Sequence, residues 1–142
     1  MILPDVNVLV YAHHEQSDEH ERYRKWWESV VNGPASFGMA PIVLSGFVRV
    51  VTHPKVFDRP LSTAAALDAA AAMRSRPNCV LVLPGDRHWS IFDQLCRKTR
   101  ARGNQVPDAF LAAQAIESGS ELITADRGFA KFPGLRWFDP HD

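Results

Sequence analysis

The feature that most constrains this chain is the repeated alternation of very short apolar runs with longer stretches of helical spacing. Ile2-Leu3, Val80-Leu81-Val82-Leu83 and Leu122-Ile123-Thr124 lack the polar–apolar alternation of a strand that wets one face. Strands of that kind are buried on both sides, which calls for a parallel sheet covered by helices on each face. The expected fold class is therefore α/β, with three layers α/β/α around a central parallel sheet.

Local signals place the elements. Ile2-Leu3 with Pro4 forms a first strand that runs into Asp5, and Val6 to Tyr11 forms a short helix. Ser17-Asp18-Glu19 supplies an acidic start for a helix carrying Trp26, Trp27 and Val30 on its apolar side. Asn32-Gly33-Pro34 ends it, and residues 35–39 form the second strand. Pro41 suits a first helical position and opens Ile42 to Val51, which stops before His53-Pro54. Ser62 caps the alanine-rich run to Met73. Asp86 is expected to cap a helix, one face of which carries Trp89, Phe92, Leu95 or Cys96, and Thr99, with Gly103 as its stop. Pro107 opens a helix that is apolar almost all round from Ala109 to Ile116 and ends at Gly119. A turn of helix over Phe129 to Phe132 and a strand over Leu135 to Phe138 complete the chain.

No linker, charge block or repeat divides the chain, so residues 1–142 read as one domain. With 46% hydrophobic residues it can build a core without disulfides. Cys79 and Cys96 belong to no ligand pattern and read as reduced thiols. No apolar run approaches a membrane span and no secretory signal opens the chain, so a cytoplasmic location without membrane contact is expected. The formal net charge is zero, so any nucleic-acid site must be a local basic patch.

In open α/β sheets the functional crevice lies beyond the carboxyl ends of the strands. Asp5 and Asp126 follow strands directly, and Asp108 falls in the first turn of the apolar helix, where exposed N–H groups favour a carboxylate. Each has a structural reading as a cap or turn residue. Three converging carboxylates would repel one another unless a cation neutralised them, and magnesium suits such oxygen donors. Metal-assisted phosphodiester hydrolysis is the reaction class that follows.

Pro4-Asp5-Val6-Asn7-Val8-Leu9 resembles the opening motif of PIN-domain proteins, specifically the toxins of VapC-type (type II) toxin–antitoxin modules. Leu44 to Thr52 with Pro54, Asn104 to Ala113, and Leu122 to Phe129 with Phe132 to Leu135 resemble the later motifs in order. The resemblance covers essentially the whole chain and implies a PIN-like α/β/α fold. It also implies an endoribonuclease using Mg²⁺, with Mn²⁺ as a substitute, at Asp5, Asp108 and Asp126. An RNA substrate, a cognate antitoxin and a homodimer follow from the same resemblance. One departure stands out: many PIN proteins carry a glutamate where this chain has Ser45-Gly46-Phe47. Three acids rather than four put a second tightly held metal in doubt. Gly46→Glu is expected to add an oxygen donor, and Ser45→Glu to add less.

Asn7, Asn104 and Thr124 lie beside the acidic motifs and suit the positioning of a ligand carboxylate, or simply loop hydrogen bonding. Arg127 suits a substrate phosphate or open solvent. Arg97, Lys98, Arg100 and Arg102 read as a solvated helix end before an RNA contact. Arg49 either pairs with the acids or faces solvent. Two other functions stay open: a PIN-like binding module weakened by the missing glutamate, and an aspartate-nucleophile phosphohydrolase. The latter normally needs a second aspartate where this chain has Asn7.

Overall fold

β1 (Ile2–Pro4) lies at the centre of a sheet to which every later strand adds in parallel: β2 (Phe37–Met39), β3 (Cys79–Leu81), β4 (Glu121–Ile123) and β5 (Trp137–Phe138). The spatial order is β3-β2-β1-β4-β5, and the computed structural model describes residues 1–142. Ile2 sits opposite both Phe37 and Glu121, and Ile123 sits between Pro4 and Phe138.

The helices are α1 (Val6–His13), α2 (His20–Val31), α3 (Pro41–Val51), α4 (Thr63–Arg74), α5 (His88–Thr99) and α6 (Gln105–Ser118), with a 3₁₀ turn over Arg127–Lys131. The chain steps from β1 outward to β2 and β3, then crosses back to β4 and β5. Right-handed crossovers in these opposite directions put α1 to α4 on one face and α5 with α6 on the other. The packing agrees, since α1 meets α2 and α3, α3 meets α4, and α5 meets α6. The expected three-layer architecture is present.

Leu3, Phe37, Met39, Leu122 and Ile123 are fully buried between the layers, each worth about 1.5–3 kcal/mol of transfer free energy. Ala109, Ala112, Ala113 and Ala115 are likewise fully buried, so α6 lies close against its neighbours, as its uniform apolarity predicts. Pro41 occupies the first position of α3, the Ser62 hydroxyl accepts from the Ala65 N–H at 3.1 Å, and Gly119 ends α6 at φ +67°. No helix is long and apolar enough to cross a membrane.

Several local expectations are corrected. The Val80–Leu83 run is not buried: Val80, Leu81 and Leu83 are 41, 47 and 58% exposed, and only Val82 is inside. β3 is an edge strand, and an apolar run does not reveal whether its strand has one neighbour or two. Asp86 does not cap α5, which has no side-chain cap; the Glu117 carboxylate of α6 instead holds the turn before it, accepting from the Gly85 N–H at 2.7 Å and the Arg87 N–H at 2.9 Å. Trp89 is 67% exposed, and His88 and Leu95 form the buried side of α5. That helix stops at Thr99 with Arg100 left-handed at φ 54°, before Gly103 is reached. α6 begins two residues ahead of Pro107. β5 is shorter than expected, Trp137–Phe138 alone.

Candidate active site

Asp5 is placed by a change from strand to helix within one residue. Pro4 has no N–H and ends β1; the Asp5 N–H extends the ladder to the Ile123 carbonyl at 2.9 Å. Asp5 itself keeps an extended backbone, φ −83° and ψ 167°, and its Oδ1 accepts from the Val6 N–H at 2.7 Å as the cap of α1. Its Oδ2 accepts from the Thr124 hydroxyl at 2.8 Å and the Asn7 amide at 3.2 Å. Asn7 Oδ1 accepts from the Ala125 N–H at 3.2 Å, and Thr124 Oγ1 accepts from the Asp126 N–H at 3.0 Å. This network ties the end of β1 to the end of β4. These neighbouring strands send their chains in opposite directions, which is where doubly wound sheets open a crevice.

Asp126 is exposed and caps the 3₁₀ turn, its Oδ1 accepting from the Gly128 N–H at 2.8 Å. A Cβ on residue 128 would lie 2.9 Å from that oxygen, so a side chain there would require the Asp126 carboxylate to shift. Asp108, in the first turn of α6, is only partly buried. Burial, then the charges of Asp126 and Asp5, push its carboxyl up to about 6. Burial likewise raises Asp5; the Thr124 and Val6 hydrogen bonds oppose that rise and the Asp126 charge adds to it. Such mutual perturbation marks a shared electrostatic site.

The three carboxylates line one cleft of about 770 Å³. Its other wall is a stripe of α3, where Ile42, Ser45, Gly46 and Arg49 recur at helical spacing. Tyr11 and Asp18 also line it, and neither was singled out as a site residue from the sequence. Tyr11 lies one helical turn beyond Asn7, a spacing that does carry the signal. Burial, then the Asp18, Asp5 and Asp126 charges, raises its phenol. Asp18 reads as a helix-start acid, but α2 begins only at His20, after Glu19 in a left-handed turn at φ 53°. Asn104 makes no cap bond, and Arg127 is held by Asp142 at 2.7 Å; neither lines the cleft. Of the basic cluster, Arg97 pairs with Asp93.

The stripe of α3 reverses one expectation. A Cβ at Gly46 would meet Val6 Cγ2 at 2.7 Å, so this glycine lets α3 approach α1, and a glutamate there would force the helices apart. Ser45 is exposed and faces the same cleft. It is the better position for an added carboxylate.

The donor set is chemically suited to magnesium: all-oxygen, anionic and self-repelling. No group of three acidic, histidine or cysteine side chains is tight enough to enclose a bare ion. Magnesium retains several waters and takes one or two direct carboxylates, so a wider constellation still fits it.

The chain is similar to known proteins over its whole length. The PIN domain family matches residues 2–135. Ribonuclease VapC43 of Mycobacterium tuberculosis is 44% identical over the whole of this chain and 97% of its own length. Ribonuclease VapC33 of the same species is 37% identical over 99% of this chain and 98% of its own. Among solved structures, VapBC-1 from nontypeable Haemophilus influenzae superposes with a TM-score of 0.68 at 18% identity, covering 100% of both chains. M. tuberculosis VapC20, described as a sarcin–ricin loop cleaving toxin, gives 0.67 at 19% identity, over 96% of this chain and 99% of its own. Strand order, the joined ends of β1 and β4, and full-length relatedness to VapC ribonucleases agree: the chain belongs to the PIN-domain family.

Proposed function

We propose that this chain is a divalent-metal-dependent endoribonuclease and the toxic component of a toxin–antitoxin pair. The observation that carries the reading is the meeting of Asp5, Asp108 and Asp126 in one cleft, where burial first and then the neighbouring carboxylate charges raise both Asp108 and Asp5. Relatives named VapC ribonucleases over their full length support it.

Asp5, Asp108 and Asp126 would hold Mg²⁺, with Mn²⁺ as its substitute. Held there, such an ion would supply positive charge for a phosphodiester and a lowered pKa for a water nucleophile. Thr124 and Asn7 fix the Asp5 carboxylate by donating to its Oδ2, so the donor direction is set before substrate arrives. Asp126 presents its second oxygen from a capped turn, and Asp108 from a rigid helix start. Asn104 and Arg127 stand outside the cleft and take no direct part in this scheme. The phosphohydrolase alternative loses ground, because Asn7 is held by Asp5, Thr124 and the Ala125 N–H and has no proton to give as a general acid. An antitoxin that covers the cleft and a homodimer complete the proposal.

Antitoxin-free protein should cleave cellular RNA with added Mg²⁺ or Mn²⁺ and stop on chelation. Asp5→Asn, Asp108→Asn and Asp126→Asn should each remove most of that activity. Wild-type rates from the Asp5 or Asp108 variant would overturn the proposal. A folded wild type that cleaves nothing would favour the binding-module reading, in which the absent glutamate has ended catalysis.

A further inference from the structure

Arg49 is the one cation among the residues lining a cleft that also holds Asp5, Asp18, Asp108 and Asp126. It occupies the last turn of α3, a helix anchored beneath it by buried Val43, Phe47 and Val51. An exposed guanidinium on the wall of an acidic cleft would be expected to hold a carboxylate. Arg49 forms no ion pair or side-chain hydrogen bond; Arg74, Arg100 and Arg102 are likewise without one, but none of them lines the cleft. Its donors are therefore available to another anion, on a rigid backbone facing the catalytic carboxylates.

RNA poses the matching problem. Metal charge can draw in the phosphate that is cut, but the neighbouring phosphates meet four carboxylates with little to offset them. A guanidinium offers two parallel N–H donors to two phosphate oxygens, which fixes direction as well as adding charge. Building on the ribonuclease reading, we propose that Arg49 is a positioning residue that grips a backbone phosphate next to the scissile one and so sets how the RNA strand lies across the cleft. Arg127, for which the sequence left a phosphate or open solvent, pairs with Asp142 on the surface and does not line the cleft.

The test compares Arg49→Gln and Arg49→Lys with wild type in three assays. The first is steady-state cleavage of a short single-stranded RNA. Arg49→Gln should lower kcat/KM roughly 10- to 100-fold, the range for a lost charge-assisted hydrogen bond, and chiefly through KM. Arg49→Lys should recover only part, since it keeps the charge and loses the fork. The second is fluorescence anisotropy of the same labelled RNA at several salt concentrations, in an Asp5→Asn background that prevents cleavage. Loss of one phosphate contact should reduce the slope of log affinity against log salt by about 0.7, a change that a structural role alone would not produce. The third is calorimetric titration of Mn²⁺, which should be unaltered. Unchanged KM and salt slope in Arg49→Gln, with wild type active, would overturn the role of Arg49 alone, and a surface for a protein partner would then account for the residue. Wild type that neither binds nor cleaves the RNA would overturn the ribonuclease reading and this inference with it.

Discussion

Asp108→Asn should make the metal-free protein more stable at neutral pH while removing its activity. The wild-type carboxyl is raised from the ordinary carboxylate range to about 6, first by burial and then by the charges of Asp126 and Asp5. A group whose folded pKa lies above its unfolded value opposes folding once it ionises. The penalty is absent below pH 4, grows between pH 4 and 6, and is complete above 6. A rise of roughly two pH units corresponds to about 3 kcal/mol at most. Asp108 is only partly buried, and solvent screening reduces this to about 1–2 kcal/mol. Asparagine keeps the shape and removes the charge, so at pH 8 with chelator present Tm should rise by about 3–8 °C for a chain of this size. The advantage should fade as pH drops through 6 and vanish near 4. Added Mg²⁺ should narrow the gap from the other side. Binding at tenfold excess over Kd stabilises wild type by about 1.4 kcal/mol, and the variant should respond less. Differential scanning fluorimetry from pH 4 to 8, with and without Mg²⁺, measures all of this. An Asp108→Asn protein no more stable than wild type at pH 8, or one whose advantage does not change with pH, would refute the electrostatic reasoning.

Thr124→Val removes the buried hydroxyl that joins Asp5 Oδ2 to the Asp126 N–H; stability should fall by about 1–3 kcal/mol and Mn²⁺ affinity with it, read by urea denaturation and calorimetry. Ser45→Glu should tighten Mn²⁺ binding with little change in Tm. Gly46→Glu should lose about 1–3 kcal/mol to overpacking against Val6 and gain no metal affinity. Light scattering at micromolar concentration should give the mass of a dimer, in keeping with the exposed Trp89, Leu83 and Leu81; a monomer alone would count against it.

The parts of this structure that are legible in the sequence are those decided locally. Pro41 opens α3, Ser62 caps α4 and Gly119 ends α6 because each satisfies backbone groups within a few residues of itself. Global placement leaves no such trace. The Val80–Leu83 run is as apolar as a central strand, yet its strand borders only β2, and that depends on where four other strands lie. The turn before α5 is held by Glu117, 30 residues beyond Arg87. In the cleft, Asp5, Asp108 and Asp126 follow from their positions after strands and at a helix start. The bond between Thr124 and Asp5 spans 119 positions and needs the β1–β4 pairing to bring it about. Tyr11 and Asp18 become site residues only once α1 and the turn before α2 border the same cleft. The space at Gly46 depends on how closely α3 approaches Val6, which helical spacing alone does not disclose.

For two of the three acids, the structural reading is borne out as a cap, and the same cap is compatible with the proposed metal-binding role. A carboxylate has two oxygens, and Asp5 uses Oδ1 to cap α1 while Oδ2 meets Thr124 and Asn7. Asp126 uses Oδ1 to cap the 3₁₀ turn and leaves its partner oxygen uncommitted. A cap of this kind fixes the side-chain rotamer, so the second oxygen is aimed without further packing around it. Asp108 has no cap to make, and its place on α6 alone holds it beside the other two. That division also accounts for the electrostatics. At Asp5 the Thr124 and Val6 hydrogen bonds oppose the rise that burial causes, whereas Asp108, with no hydrogen bond to offset burial, is pushed up to about 6. The caps thus fix two carboxylates in the cleft that Asp108 shares, an arrangement in keeping with the proposed divalent-cation site.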